Sequence, residues 1–412
     1  MTIEELGKQA FDASKDLLAI GSEQKNLLLK KIADAICENT SYIIAQNNLD
    51  LENGKKSGLS DSLLDRLMLN KERLKEICDA VINISRQEDP VGAVLEGQIR
   101  PNGLKIQKIT VPLGVVGIIY EARPNVTVDA AALCLKSGNA CILRGGKEAI
   151  NSNMALVKIM REAIFDCGFN KDAICLVEDT SRESAMQLMK LNKYLSVLIP
   201  RGGAGLIKSV VENSSVPVIE TGSGNCHVYI DKYANLDMAA EIVYNAKASR
   251  VSVCNAAETM IIHKSIAESF LPVVKKELDK KNVLIKGCEA TREIIEAQAA
   301  TEDDYYKEFS DYIIACIIVD DIDAAIKHIA KYSTGHSECI VTENYRSSKI
   351  FTSLVDSAAV YVNVSTRFTD GGEFGLGAEV GISTQKLHAR GPMGIKALTS
   401  YKYIIEGTGQ TR

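Results

Sequence analysis

From residue 114 onward the chain alternates short apolar runs with amphipathic stretches, and this alternation leaves few architectures open. GVVGIIY (114–120) is a candidate buried strand, NVTVDAAALCLKSG a helix closed by Gly138, and ACILRGG the next strand. Helix INSNMALVKIMREAIFDCG, strand AICLVE, helix SAMQLMKLN, strand YLSVLIPRGG and helix AGLIKSVVENSS follow in turn. After Glu220 the pattern resumes with HVYID, a helix through Ala246, TMIIH and a helix through Leu278. VLIKG, YIIACIIVD, SECIVT and AVYVNV come later. Strands joined through helices predict parallel βαβ units with right-handed crossovers.

The flanking segments differ. Residues 2 to about 86 are helix-rich: in GSEQKNLLLKKIADAICENT, Ser22 is a candidate cap, and Leu28, Ile32 and Ile36 recur at helical spacing. VGAVLEGQIRPNGLKIQKITVPL changes to strand alternation, and Asn102-Gly103 predicts a hairpin with a tight primed turn. Such a ribbon suits a pairing arm. DGGEFGLGAEVGIST is expected to form a loop and then a short helix lining a site, with a surface loop as the alternative. ALTSYKYIIEG is a final strand, able to join a sheet in its own or a neighbouring subunit.

At 412 residues the chain exceeds one comfortable core, so two or three domains are expected, divided at the Gly cluster near 222. The net charge is only −5, Lys and Arg are dispersed and Trp is absent, which argues against a nucleic-acid surface. The eleven Cys form no C-x-x-C pair, and Cys134, Cys141, Cys175 and Cys316 sit in apolar runs. They fit small buried hydrophobes in a reducing compartment. The acidic, amphipathic start is not a signal peptide, and no apolar run reaches membrane-spanning length, so a cytoplasmic protein with no membrane partner is expected. Five scattered His, without H-E-x-x-H, leave no metal site to predict.

For chemistry, the first question is a dinucleotide fingerprint, and G-x-G-x-x-G is absent. Two Gly-rich strand-to-helix turns exist, Arg144-Gly145-Gly146-Lys147 and Arg201-Gly202-Gly203. Each sets backbone N–H groups beside a cation, which suits phosphate, although tight-turn geometry alone would also explain them. Cys254 follows Lys247 and Arg250, and NAAETM behind it could begin a helix; both would favour a thiolate. Its bland alternative is one more core cysteine. Glu220 lies upstream in VIETGSGNCHVYID.

Taken together, VPLGVVGIIYEARPNVTVDAAALCLKSGNACILRGGKEAINSN, VLIPRGGAGLI, VIETGSGNCHVYID, VSVCNAAETMIIH, STGHSECIVT and TDGGEFGLGAEVGIS resemble the aldehyde dehydrogenase superfamily. Within it they resemble the γ-glutamyl phosphate reductase family, over nearly the whole chain. The resemblance implies an α/β fold of two Rossmann-like parallel-sheet domains plus a β-ribbon oligomerisation arm. The cofactor domain would take residues 1–94, 114–222 and part of 380–400. The arm would take 95–113 and 400–412, and the catalytic domain 223–379.

By the same resemblance, Cys254 is the nucleophile, Glu220 the family's glutamate, and Asn125 a candidate oxyanion-hole residue in place of a Pro-Trp-Asn turn. Arg144 falls where many relatives carry a ribose-contacting Lys, and Lys147 near a position where NAD-preferring relatives carry Glu. A cation there favours a 2′-phosphate, so NADP (NADPH) is the expected cofactor. Glu308 is expected to hold the nicotinamide ribose. Arg123, Arg250, His227, His336 and Arg367 are candidates for the phosphate and α-carboxylate of L-glutamyl 5-phosphate. The implied reaction is NADPH-dependent reduction of that substrate to L-glutamate 5-semialdehyde through a Cys thioester, the second step of proline biosynthesis from glutamate. A homo-oligomer is expected, with the glutamate kinase that makes the substrate as a candidate partner.

Overall fold

Four strands, Ile174–Leu176, Ala140–Arg144, Val115–Tyr120 and Val197–Arg201, lie side by side in that order, all parallel. All six residues of Val115–Tyr120 are buried, as a central parallel strand requires. The structure, a computed structural model, describes residues 1–412, Ser62 by its backbone alone. It divides into two units: Met1–Thr221 with Gly375–Gly381 and Met393–Arg412, and Gly222–Phe374 with Ile382–Pro392.

The first unit begins with helices Ile3–Leu17, Ser22–Glu38, Thr40–Lys56, Asp61–Leu67 and Lys71–Arg86. Leu28, Ile32 and Ile36 are buried as their spacing predicts, but Ser22 is not the cap. Gly21 takes that position, and Gln24 Oε1 accepts its N–H at 3.0 Å, so the third helical residue does the work assigned to the serine. Strands Val94–Ile99, Lys105–Pro112 and Thr399–Glu406 form an antiparallel ribbon with 105–112 in the middle. The C-terminal strand therefore joins a sheet of its own chain.

The ribbon's turn differs from the expected two-residue primed turn. Arg100 N–H donates to Leu104 O at 2.8 Å and Gly103 N–H to Arg100 O at 2.9 Å, which makes Pro101-Asn102-Gly103 a three-residue loop. A primed turn would need Pro101 as a paired strand residue, and proline has no N–H to give. Gly103 alone supplies the positive φ, +86°.

The second unit carries a seven-stranded parallel sheet in the order Gln298–Ala299, Leu284–Gly287, Ile313–Val319, Ala257–His263, Cys226–Ile230, Ser337–Val341, Ala359–Val362. Helices Leu236–Ala248 and Ala267–Asp279 bury Ala240, Val243, Phe270, Leu271 and Val274 in one core with Val228, Met260 and Ile314. NAAETM does not begin a helix: Ala257 already opens a strand, so Cys254 has no helix N-terminus behind it. The short helix expected after DGGEFGLG is also absent. Gly375, Gly377 and Gly381 take positive φ there, and Ile382–Ser383 instead pairs with Gly391–Pro392.

His328 is buried against Tyr332, Tyr305 and His227, with ring centroids 4.4, 5.1 and 5.5 Å away for His328–Tyr332, Tyr305–His328 and His227–His328. Burial, then repulsion from His227, pushes its pKa down to about 3. The unfolded chain therefore binds a proton near pH 6.5 that the folded one refuses. This contribution to stability is present above that pH and is lost as the pH falls towards 3. The urea midpoint of wild type should drop more between pH 7 and pH 5 than that of His328→Gln; equal drops would contradict the assignment.

Candidate active site

Cys254 sits, half-buried, in the turn between helix Leu236–Ala248 and strand Ala257–His263. Two contacts fix this turn from behind. Gly224 lies flat against it: a Cβ at that position would overlap the Cys254 carbonyl and come within 2.7 Å of its Cα. The Cys226 thiol donates to the Cys254 carbonyl at 3.1 Å, and its Sγ is 3.7 Å from His336 Nδ1. His336 Nδ1 continues to Ser337 Oγ at 2.8 Å, Ser337 Oγ to Thr369 Oγ1 at 2.6 Å, and Thr369 Oγ1 to the Tyr361 hydroxyl at 2.7 Å. Burial first, then the charges of Glu338 and Cys254, hold the Cys226 thiol well above its ordinary pKa, so it stays protonated as a donor.

From the side, residues 365–369 clasp the turn. Asn255 Nδ2 donates to the carbonyls of Arg367 and Thr369 at 3.1 and 3.0 Å, and Thr366 Oγ1 donates to Asn255 O at 2.7 Å. The Arg367 guanidinium donates to Ser249 Oγ at 3.2 Å and to Asn255 Oδ1. Burial, then repulsion from Arg250, holds its pKa below the usual arginine value, while Asp370, Cys254 and Cys226 pull the other way. Arg250 itself is exposed. Two cations therefore flank a half-exposed thiol, an arrangement that suits an anionic acyl substrate. Lys247, expected to help form the thiolate, is fully buried instead and paired with Glu258 at 2.5 Å.

Two predicted substrate ligands are displaced by the fold. His227 lies on a central strand with no exposed surface; its N–H donates to Glu338 Oε2 at 2.8 Å and its Nδ1 is 3.1 Å from that oxygen. His336 is equally buried and stands behind Cys226, which bonds the Cys254 turn. Neither imidazole has a surface for a ligand to touch. Glu308 is half-buried, and its charge raises the pKa of both Cys226 and Glu258, which sets it in the electrostatic surroundings of the turn. Gly224 and Asn255 were the residues sequence reasoning missed. The Gly-Ser-Gly before the strand was visible, but the surface it packs against was not.

In the first unit, Arg123 immediately precedes helix Pro124–Lys136, and Asn125 in its first turn donates Nδ2 to Asp129 Oδ2 at 3.1 Å. Burial pushes the Asp129 carboxyl up to about 6, against the pull of Asn125 and Arg201. Glu220 is half-buried at the end of this unit. At the sheet's C-terminal edge, a Cβ on Gly145 would overlap Asn153 Nδ2 and lie 3.1 Å from Tyr120, so that turn must pass close to the sheet. Lys147 is exposed there, beside the short 3-10 turn that leads into helix Ile150–Asp166. Such an edge, with a glycine turn and an open cation, fits a dinucleotide phosphate.

Arg144 and the second turn are occupied differently. The Arg144 guanidinium donates to the carbonyls of Thr180 and Ser181 at 2.7 and 3.0 Å, clamping that loop. Glu121 Oε2 accepts the Gly203 N–H at 3.0 Å, Gly202 packs on the same carboxyl, and Arg201 faces Glu379 at 3.5 Å. An internal carboxylate thus holds the N–H that was expected to meet phosphate. Among the described residues no group of His, Cys, Asp or Glu is arranged to hold a metal ion.

Residues 1–302 match the profile of the "Aldehyde dehydrogenase family". The gamma-glutamyl phosphate reductase of Carboxydothermus hydrogenoformans is 58% identical over 408 residues, covering 99% of this chain and 98% of that protein. That of Clostridium novyi is 56% identical over 409 residues, at 99% and 98% coverage. The crystal structure of gamma-glutamyl phosphate reductase from Thermotoga maritima superposes with a TM-score of 0.96 at 48% identity, over 99% of each chain. An acetylating aldehyde dehydrogenase from Geobacillus thermoglucosidasius shares the fold at a TM-score of 0.72 and 18% identity, over 99% of this chain and 97% of that one.

Gly224→Ala should leave a folded protein whose Cys254 turn is displaced. A shift of about 1 Å at a reacting group costs on the order of 10²-fold in rate. Turnover should fall by about that factor, with the far-ultraviolet circular dichroism unchanged and the alkylation rate of Cys254 altered; wild-type turnover would contradict the packing argument.

Proposed function

This chain belongs to the aldehyde dehydrogenase family and, within it, to the gamma-glutamyl phosphate reductases, and from that premise we propose that it reduces L-glutamyl 5-phosphate to L-glutamate 5-semialdehyde, releasing phosphate, with NADPH as reductant. The observation that carries this reading is the braced Cys254 turn with Arg250 and Arg367 beside it.

Cys254, as thiolate, attacks the acyl carbon, and phosphate departs to leave a thioester. Covalent capture divides one difficult reduction into two easier steps. Phosphate is already a good leaving group, so the step needs neutralisation of charge more than a proton donor. Arg250, adjoining the Cys254 turn, and Arg367, bonded to Asn255, are assigned to that need. Donors to the tetrahedral oxyanion, with Asn125 as the assigned side chain, contribute about 3–4 kcal/mol in a dry site. Asp129 accepts from Asn125 Nδ2 and so fixes the orientation of that amide.

The nicotinamide cofactor, when bound, supplies the hydride that brings the thioester to the aldehyde level. Lys147 and the Gly145-Gly146 turn are assigned to its adenosine phosphate end, and Glu308 to the nicotinamide ribose. Arg144 keeps the turn in place through the Thr180 and Ser181 carbonyls. Glu220 is assigned either to tuning the protonation of Cys254 or to orienting the nicotinamide, because activating water would hydrolyse the thioester and waste the substrate.

The reaction supplies the second step of proline synthesis from glutamate, in the cytoplasm, next to the kinase that makes the acyl phosphate. A homo-oligomer is supported by the ribbon, where Leu95, Ile99, Tyr401, Tyr403 and Ile405 are all exposed. Exposed apolar side chains on both edge strands suit pairing with a second copy.

Run in the oxidative direction with glutamate semialdehyde and NADP, the enzyme should require inorganic phosphate, and Cys254→Ala should abolish the reaction. Oxidation without phosphate would point to an ordinary hydrolytic aldehyde dehydrogenase. In the same assay Glu220→Gln should lower the rate and retain measurable turnover; full loss with intact folding and cofactor binding would remove its assignment. Lys147→Glu should raise KM for NADP at least tenfold and leave KM for NAD nearly unchanged, since an anion there repels the 2′-phosphate; parallel changes in both would take Lys147 out of the cofactor site.

A further inference from the structure

Far along the chain from the nucleophile turn, helices Ser22–Glu38 and Lys71–Arg86 pack against each other and bring two thiols together. Cys37 Sγ lies 2.7 Å from Cys78 Sγ. Other sulfur contacts in this chain are looser: Cys78 Sγ is 3.4 Å from Ala33 O, and Cys288 Sγ is 3.3 Å from Thr291 Oγ1. The Cys37–Cys78 separation falls between such contacts and the ~2.05 Å of a disulfide bond. Closing it asks for little more than side-chain rotation. Cys37 is exposed and Cys78 buried, so one thiol meets solvent while the other waits behind it.

We propose that Cys37 and Cys78 form a redox-sensitive dithiol, which closes to a disulfide when a small disulfide oxidant such as oxidised glutathione reaches Cys37. Cys37, as thiolate, attacks one glutathione sulfur, expels the other glutathione as thiolate and becomes a mixed disulfide. Cys78 gives its proton to the expelled thiolate and attacks Cys37 Sγ, and the second glutathione leaves and takes up the proton that Cys37 lost. Two cysteines lose two electrons, and one oxidised glutathione becomes two thiols. Burial and the Cys37 contact hold the Cys78 thiol far above its ordinary pKa, which protects it from direct attack and assigns the first encounter to Cys37.

A second thiol pair makes the contrast. Cys134 and Cys141 also interact, but both are fully buried, so no oxidant reaches them. The bond at 37–78 would join two helices that both pack on helix Pro124–Lys136, and would restrain the unfolded chain across the intervening segment. The expected consequence is a stiffer, more heat-resistant helical layer.

The folded full-length protein is incubated with oxidised glutathione, quenched with an alkylating agent under denaturing conditions, and mapped by mass spectrometry. Peptides holding Cys37 and Cys78 should appear cross-linked, with two of the eleven thiols lost there and Cys134 and Cys141 still alkylated. The thermal midpoint should rise and return on reduction. Cys37→Ser, at an exposed position, should remove both the cross-link and the rise, and Cys78→Ser should leave a stable glutathione adduct on Cys37. A lasting adduct on Cys37 in wild type, or Cys37 and Cys78 both alkylated after oxidation, would overturn the proposal. Neither result depends on the activity of Cys254.

Discussion

Lys247 and Glu258 touch at 2.5 Å with neither side chain exposed, and the Cys254 turn hangs between them. Lys247 lies in the last turn of the helix that leads into the turn, and Glu258 is the second residue of the strand that leads out. Burial raises Glu258 to about 7 and lowers Lys247, each opposed by its partner, so the pair is held by its own contact and not by solvent. Removing one partner of such a pair strands the other and costs about 3–5 kcal/mol. The pair itself contributes little net stability, because desolvation offsets the attraction. Its effect is to fix where helix and strand meet, and with it the path of residues 249–256. Glu258 Oε1 also accepts the Ser310 N–H at 3.3 Å, which ties the same point to the segment carrying Glu308.

Upon that brace the Cys254 turn is held by close backbone packing and by side-chain hydrogen bonds to backbone. Gly224 removes a side chain so that two backbones can touch, and Cys226 and Asn255 donate to backbone carbonyls on either side. Rigid placement of this kind suits covalent catalysis, because the geometry is set before substrate arrives. Arg250 and Arg367 then supply charge at the edge, where it remains available to an anion. Hydrogen bonds thus hold the backbone of the Cys254 turn, Arg367 among the donors, and Arg250 stands exposed beside it.

Much of the architecture was legible because parallel strands buried on both faces are written as continuous apolar runs, and Val115–Tyr120 and Cys226–Ile230 are such runs. The errors share a cause. Ser22, the turn at Asn102-Gly103, and the helices expected at NAAETM and after DGGEFGLG were all local propensities overruled by neighbours. Gln24 reached back to Gly21, Pro101 could not serve as a ladder donor, and the Ala257 strand was claimed by its sheet. His227 and His336 were selected for residue type, but the sheet buries both. Arg201-Gly202-Gly203 had the composition of an anion turn, and Glu121, some eighty positions earlier, supplies the anion internally.

The sequence alone determined the βα alternation, the helical lead, the ribbon and the cysteine worth testing first, because periodicity and motif are properties of neighbours along the chain. Only the tertiary structure decided which cations stay free. Lys247 is spent on Glu258 and Arg144 on the Thr180–Ser181 loop, whereas Arg250 and Lys147 remain exposed. It also decided that Gly224 must lack a side chain, and that Cys37 and Cys78 meet across two helices. Those outcomes depend on contacts between distant residues, and on the cost of burying a charge without a partner, neither of which a local pattern encodes.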